Sequence, residues 1–264
     1  MPSTTLAKKI ISVLCGCLLL SLTGCSLKQR SVRPSWENGV LRVGVTPNYP
    51  GLIHKAADTG LISGLEAECA TLLAERLHSR LQLVELEWEK QIPALERKNV
   101  DIIMSAMSIT EMRKLRVAFS EPYLAINQMA LTTKAEENTF RSVQEILATR
   151  KPIGVEKGTT GDIFVQRYCL VAETLFFSSP DIAVKALRDK RIALFIHDGP
   201  VLGSYVASNS TDDLVLLKIP LTSEELAWAV RLNDPDLLEE VNSALADWKD
   251  DGTLQKLIKK WLPQ

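Results

Sequence analysis

Between Asp101 and Tyr123 the chain reads DIIMSAMSITEMRKLRVAFSEPY, and its hydroxyls and arginine are of the types that hold a small carboxylate. Ser105, Ser108 and Thr110 follow the apolar run Ile102-Ile103-Met104, which has the length and flanks of a buried strand. Thr110 fits a helix N-cap, its side-chain oxygen accepting from an orphan backbone N–H. Arg113 then falls in the first helical turn, where the positive end of the helix dipole disfavours a cation. A local rule broken at a strand-to-helix junction marks candidate functional ground. The Arg113 fork, the Ser108 hydroxyl and nearby backbone N–H groups suit a carboxylate, since a guanidinium can engage both oxygens. The competing reading is a surface arginine paired with Glu111 or Glu121.

Other candidates lie further off. Tyr49 follows the probable strand Val40 to Val45, and Trp88 closes the alternating stretch LQLVELEW, with Leu52 near Tyr49. Each aromatic alone also suits core packing. The segment Ile153 to Gly161, IGVEKGTTG, reads as strand, turn and helix start. Its glycines allow close backbone approach and its helix-N-terminal amides suit an anion, though it lacks the Gly-Lys-Ser/Thr ending of a P-loop. Within it Glu156 reads as a surface residue or as a carboxylate facing a cleft. Asp198, after the apolar run Ile192 to Ile196, can cap the next helix with Pro200 in its first turn.

The elements needed to place these residues follow a β-α-β-α-β order. Strand Val40 to Val45 is followed by helical spacing over Leu65 to Leu77, the strand Leu81 to Trp88, a short helix over 91 to 98, and the strand at Ile102. That order implies parallel strands with helical crossovers and ligands beyond the carboxyl ends of the strands. Tyr49, Trp88 and Ser105 to Ser108 all fall at such ends. A strand-like NQMALTT, a helix near Ser142 to Ala148 and a helix over DIFVQRY come next, then a returning strand ELAWAVRL and helices over Leu237 to Lys249 and up to Trp261.

The run DIIMSAMSIT with Arg113 and Phe119-Ser120-Glu121-Pro122-Tyr123 resembles the signature of the family 3 periplasmic solute-binding proteins, the polar amino-acid receptors of ABC importers. The resemblance spans about residues 38 to 263. It implies an α/β, two-lobe periplasmic-binding-protein fold of type II, each lobe a mostly parallel sheet flanked by helices, joined by two crossings that act as a hinge. The implied boundaries are lobe 1 at 39–126 plus 223–264 and lobe 2 at 127–222, with crossings near 124–128 and 222–230. Ser105, Ser108 and Arg113 are then expected to grip a ligand's α-carboxylate together with Thr159 and Thr160 of the second lobe. Asp198 is expected to receive the α-ammonium, and Tyr49 and Trp88 to sandwich the side chain, with Leu52 on the wall. Ala106 and Ala193 depart from the family pattern, where a serine or glycine and an aspartate are common. The expected function is capture of an amino acid, polar or basic (the latter suiting Glu156), and its delivery to a membrane permease, by a monomer with no cofactor and no metal.

The chain of 264 residues is 46% hydrophobic and 24% charged, an ordinary globular composition long enough for two modest lobes. Lys8 and Lys9 precede an apolar stretch from Ile10 to Leu22 that is short for a transmembrane helix. Leu22-Thr23-Gly24-Cys25 resembles a bacterial lipobox, implying a signal peptide at 1–24, lipidation of Cys25 with palmitate, and a tether over 25–38. Stable anchoring takes two or more acyl chains. A plain secretory signal is the alternative. Without Lys8 and Lys9 the mature chain holds 29 basic residues against 32 acidic ones, which gives no footprint for nucleic acid. Localisation follows as the cell envelope, periplasmic or extracytoplasmic and lipid-anchored. Cys69 and Cys169 are expected to be free thiols, Cys69 within an apolar stretch. Two rival classes stay open. One is a periplasmic dehydratase of prephenate or arogenate type with Glu156 or His197 as general acid, and the other is a sensory or murein-associated binding module.

Overall fold

A computed structural model describes residues 36–208 and 213–262. Val40–Val45 is an apolar run bracketed by turns, and it pairs in parallel with Arg80–Glu85 on one side and Ile102–Ile103 on the other. Ala229–Arg231 and Val117–Phe119 complete this five-stranded sheet, Ala229–Arg231 running antiparallel to both its neighbours. A second five-stranded sheet repeats the pattern. Thr174–Phe177, Ile153–Glu156 and Leu194–Asp198 are parallel, followed by Gln128–Thr133 antiparallel to Leu194–Asp198 and Leu214–Leu217. The two-lobed α/β architecture expected from the sequence is therefore present.

Two short strands run between the sheets. Leu124–Ile126 leads directly into Gln128–Thr133, and Glu224–Leu226 leads into Ala229–Arg231, and the two pair antiparallel. Each crossing thus delivers the antiparallel fourth strand of the sheet it enters. The expected single strand ELAWAVRL is split accordingly at Ala227 and Trp228.

Both sheets are covered on both faces, as parallel sheets must be. Leu65–Arg76 and Pro235–Asp250 pack with Leu41, Val43 and Ile102 on one face of the first sheet, while Ala94, Leu95 and Val117 close the other with Ile103. In the second lobe Phe164 and Val165 cover one face and Ala183, Val184 and Leu187 the other. Cys69 and Cys169 are buried free thiols, and Cys69 packs in the first core as a small hydrophobe. Burial pushes the Cys169 thiol up to about 11.

The stretch LQLVELEW departs from expectation at its end. The strand stops at Glu85, paired with Val45, because Val45 is the last residue of the strand beside it. Trp88 instead opens a 3-10 turn, Trp88–Lys90, that feeds the helix Gln91–Glu96. The segments expected to be signal peptide and tether, with Cys25, lie through residue 35 outside the described residues.

Candidate ligand-binding site

Thr110 caps the helix Glu111–Lys114, accepting from the Arg113 N–H at 3.2 Å. That helix is a single turn, so its dipole is slight and opposes Arg113 little. Arg113 is buried, and it makes neither of the ion pairs weighed for it. Its Nη1 donates to the Ser108 carbonyl at 2.7 Å, and its Nη2 donates to the Gly158 carbonyl at 3.2 Å. Glu111 pairs with Lys114 instead. The guanidinium also lies 5.1 Å from the Trp88 ring centroid, a favourable cation–π distance. Burial lowers the Arg113 pKa from its ordinary value, against the raising charges of Asp198 and Glu224.

Across from it, Thr159 caps the helix Thr160–Tyr168. Its hydroxyl is committed locally, donating to the Glu156 carbonyl at 2.7 Å and accepting from the Asp162 N–H at 3.3 Å. Gly158 sits at φ +78°, a left-handed conformation that glycine adopts without strain. Its carbonyl accepts from Trp88 Nε1 at 3.0 Å as well as from Arg113.

Asp198 occupies the cap position of the helix Gly199–Ala207, yet its carboxylate makes no capping bond. Oδ1 accepts from the Gln128 amide at 2.5 Å. Burial raises the Asp198 pKa, opposed by His197, Gln128 and Arg113.

One small cavity of about 10 Å³ collects these groups. Tyr49, Trp88, Ala106, Ser108 and Arg113 line it from the first lobe; Thr159, Thr160, His197 and Asp198 line it from the second. Seven of the eight ligand candidates thus meet at one point. Ser105 does not. Its hydroxyl points back under the strand end and accepts from the Thr46 N–H at 2.8 Å, a structural contact. Leu52 is packed in the first core and is likewise no part of the wall.

Gln128 and Glu66 were not read from the sequence. The Gln128 amide donates to Thr160 Oγ1 at 3.0 Å as well as to Asp198, and lies 3.5 Å from Glu224 Oε2, tying the second lobe to a crossing strand. Glu66 is fully buried and accepts from the Ala106 N–H at 2.6 Å, Tyr123 Oη at 2.5 Å and Trp228 Nε1 at 2.7 Å. It thereby holds Ala106, which lines the cavity in a left-handed conformation at φ +53°. Glu156 is 1% exposed, which removes the surface reading. Its Oε2 lies 3.0 Å from His197 Nε2, and its Oε1 accepts from Tyr49 Oη at 3.3 Å.

A two-lobed cleft carrying an arginine from one lobe and an aspartate from the other is the layout of a solute receptor. The chain belongs to the bacterial extracellular solute-binding proteins, family 3, whose family model matches residues 41–264. It is similar to the L-cystine-binding protein TcyJ of Escherichia coli K12, 28% identical over 225 residues that cover 85% of this chain and 83% of TcyJ. It is also similar to the arginine-binding extracellular protein ArtP of Bacillus subtilis, 29% identical over 262 residues, 96% of this chain and 97% of ArtP. Among solved structures, the ancestral amino acid-binding protein AncCDT-1, a precursor of cyclohexadienyl dehydratase, superposes with a TM-score of 0.80 at 31% identity, covering 86% of this chain and 96% of that one. The fold is that of the type II periplasmic binding proteins.

Proposed function

We propose that this protein is the substrate-binding component of an ABC importer and that its ligand is an α-amino acid held between the lobes as a zwitterion. The observation that carries this is one cavity lined by Arg113 from one lobe and Asp198 from the other. Arg113 stays cationic at neutral pH and suits the carboxylate, assisted by Ser108, Thr159, Thr160 and the helix-N-terminal amides beside them. Asp198 suits the ammonium, and Tyr49 and Trp88 flank the side chain. A volume of about 10 Å³ holds hardly a water molecule, so an amino acid enters only if the lobes part. The hinge is assigned to Leu124–Ile126 and Glu224–Leu226, with lobe boundaries near 126 and 223.

Supporting this reading are relatives named for binding cystine and arginine. In this reading the protein is a monomer without catalytic activity, handing its ligand to permease subunits while a lipid on Cys25 holds it at the envelope membrane. Native mass spectrometry of freshly purified protein is the direct test. A co-purified mass matching an amino acid supports it, and a co-purified ligand of another chemical class defeats it.

A second reading, a dehydratase on the same scaffold, is favoured by the buried contact of Glu156 with His197 beside the cavity. A proton donor there suits prephenate or arogenate, whose ring hydroxyl leaves as water once protonated while the ring carboxylate leaves as carbon dioxide and its electron pair completes the aromatic ring. Incubation with either compound, followed by its ultraviolet absorbance, separates the two readings: turnover supports the enzyme, and its absence returns the pair to ligand binding.

A further inference from the structure

We propose that Glu156 is the specificity-determining residue of the site and that it selects amino acids with a cationic side chain; this rests on the zwitterion reading above. Glu156 is buried but has no fixed cation against it. Its two side-chain partners are the Tyr49 hydroxyl at 3.3 Å and the His197 ring at 3.0 Å. The backbone N–H of Asp198 donates to His197 Nδ1 at 2.8 Å, so that nitrogen carries a lone pair and the single ring proton sits on Nε2, facing Glu156. With Nδ1 accepting, the imidazole is neutral; His197 gives Glu156 a cation only once it is protonated, so Glu156 stands unanswered at a pH above the His197 pKa. The nearest guanidinium, Arg113, is turned to the Ser108 and Gly158 carbonyls.

The charges in the cleft are therefore unequal. The cavity wall carries one guanidinium, Arg113, and the carboxylate of Asp198, and behind that wall lie Glu156 against His197 and Glu224 near Gln128. A zwitterion answers Arg113 with its carboxylate and Asp198 with its ammonium, and leaves Glu156 buried and unanswered. An unpaired buried charge is expensive, and a cation on the ligand's side chain removes that cost. The route to it is also present. Tyr49 and His197 both line the cavity, and the Tyr49–Glu156 bond is a long one that crosses from one lobe to the other. Parting the lobes breaks that bond and frees Glu156 Oε1 for the incoming ligand. An ammonium or guanidinium at the end of a three- or four-carbon stem then takes the place of the Tyr49 hydroxyl.

The test is calorimetry with two matched pairs: L-arginine against L-citrulline, which replaces one guanidinium nitrogen by oxygen, and L-lysine against L-norleucine. At least one cationic member should bind about 30-fold more tightly than its neutral partner, the change expected when a buried charge is left unpaired. In Glu156→Gln that ratio should fall to about threefold or less. The wild-type comparison stands even where the variant does not fold. The assignment is overturned, with the zwitterion reading intact, if citrulline and norleucine bind as tightly as their partners. It is equally overturned if L-cystine or a neutral member of the twenty standard amino acids outbinds both lysine and arginine, or if the ratio survives in Glu156→Gln. Failure of every amino acid to bind overturns the zwitterion reading itself.

Discussion

Arg113 and Gly158 meet across the two lobes, the guanidinium Nη2 donating to the carbonyl at 3.2 Å. Trp88 Nε1 donates to the same carbonyl at 3.0 Å. One carbonyl oxygen thus holds both Arg113, assigned to the ligand's carboxylate, and Trp88, assigned to its side chain. Binding in that place must displace these contacts, which makes Trp88 a natural reporter. Its emission should shift on addition of ligand. Trp88→Leu should weaken affinity by about 1–3 kcal/mol, the worth of a contacting aromatic side chain. Unchanged affinity in a folded variant would make Trp88 a packing residue only.

His197 gives a pH dependence of stability. Burial lowers its pKa, but the Glu156 hydrogen bond and the charges of Asp198, Glu156 and Glu224 outweigh that and leave it raised. The groups facing it are Tyr49 and Glu156, with Asp198 next in chain and Arg113 on the opposite wall. A raised folded value means the stabilising contribution is complete below about pH 6.5, the ordinary histidine value, and is lost as pH rises through the folded value. Thermal unfolding of the protein and of His197→Gln across pH 5.5 to 8.5 should therefore show a wild-type advantage that shrinks with rising pH. Parallel profiles would show that His197 does not titrate this way.

How much of this was legible in the sequence differs from residue to residue. Arg113 could be singled out because a capped helix start after a polar strand end is a local pattern, and Thr110 caps it as read. Asp198 was ambiguous because its cap position is real; in the fold its carboxylate makes no capping bond and takes the Gln128 amide instead. Gln128 could not be read, since its partners Thr160, Asp198 and Glu224 lie 32, 70 and 96 residues away. Ser105 was misplaced because position after a strand does not say which way a hydroxyl turns; here it faces Thr46. Trp88 kept the alternating period past Glu85, but a strand lasts only as long as its neighbour.

Gly64 should tolerate no side chain. It lies at φ +129° and ψ 178°, a region open essentially to glycine, and an added Cβ would fall 2.4 Å from the Leu52 carbonyl oxygen. Gly64→Ala should cost about 3 kcal/mol or more by denaturant unfolding. Gly203, within the helix Gly199–Ala207, has nothing within 4 Å of an added Cβ. Gly203→Ala should stabilise the protein by about 0.5–1 kcal/mol. A loss there comparable to that at Gly64 would contradict the local geometry.

Cys25→Ala should leave an unprocessed precursor that incorporates no palmitate and partitions away from the detergent phase. Palmitate retained on the variant would rule out lipidation at Cys25.

The central claim, a site built for both charges of one α-carbon, is tested most directly by calorimetry. The tightest-binding free amino acid is compared with its N-acetyl derivative and its decarboxylated amine. Each modification leaves one desolvated protein charge unpaired, at Asp198 or at Arg113, a cost of about 2–5 kcal/mol. The free amino acid should bind well below about 1 mM, and each derivative should lose about 30-fold or more. An N-acetyl compound binding as tightly as the free amino acid would contradict the account, leaving Asp198 no part in holding the ligand.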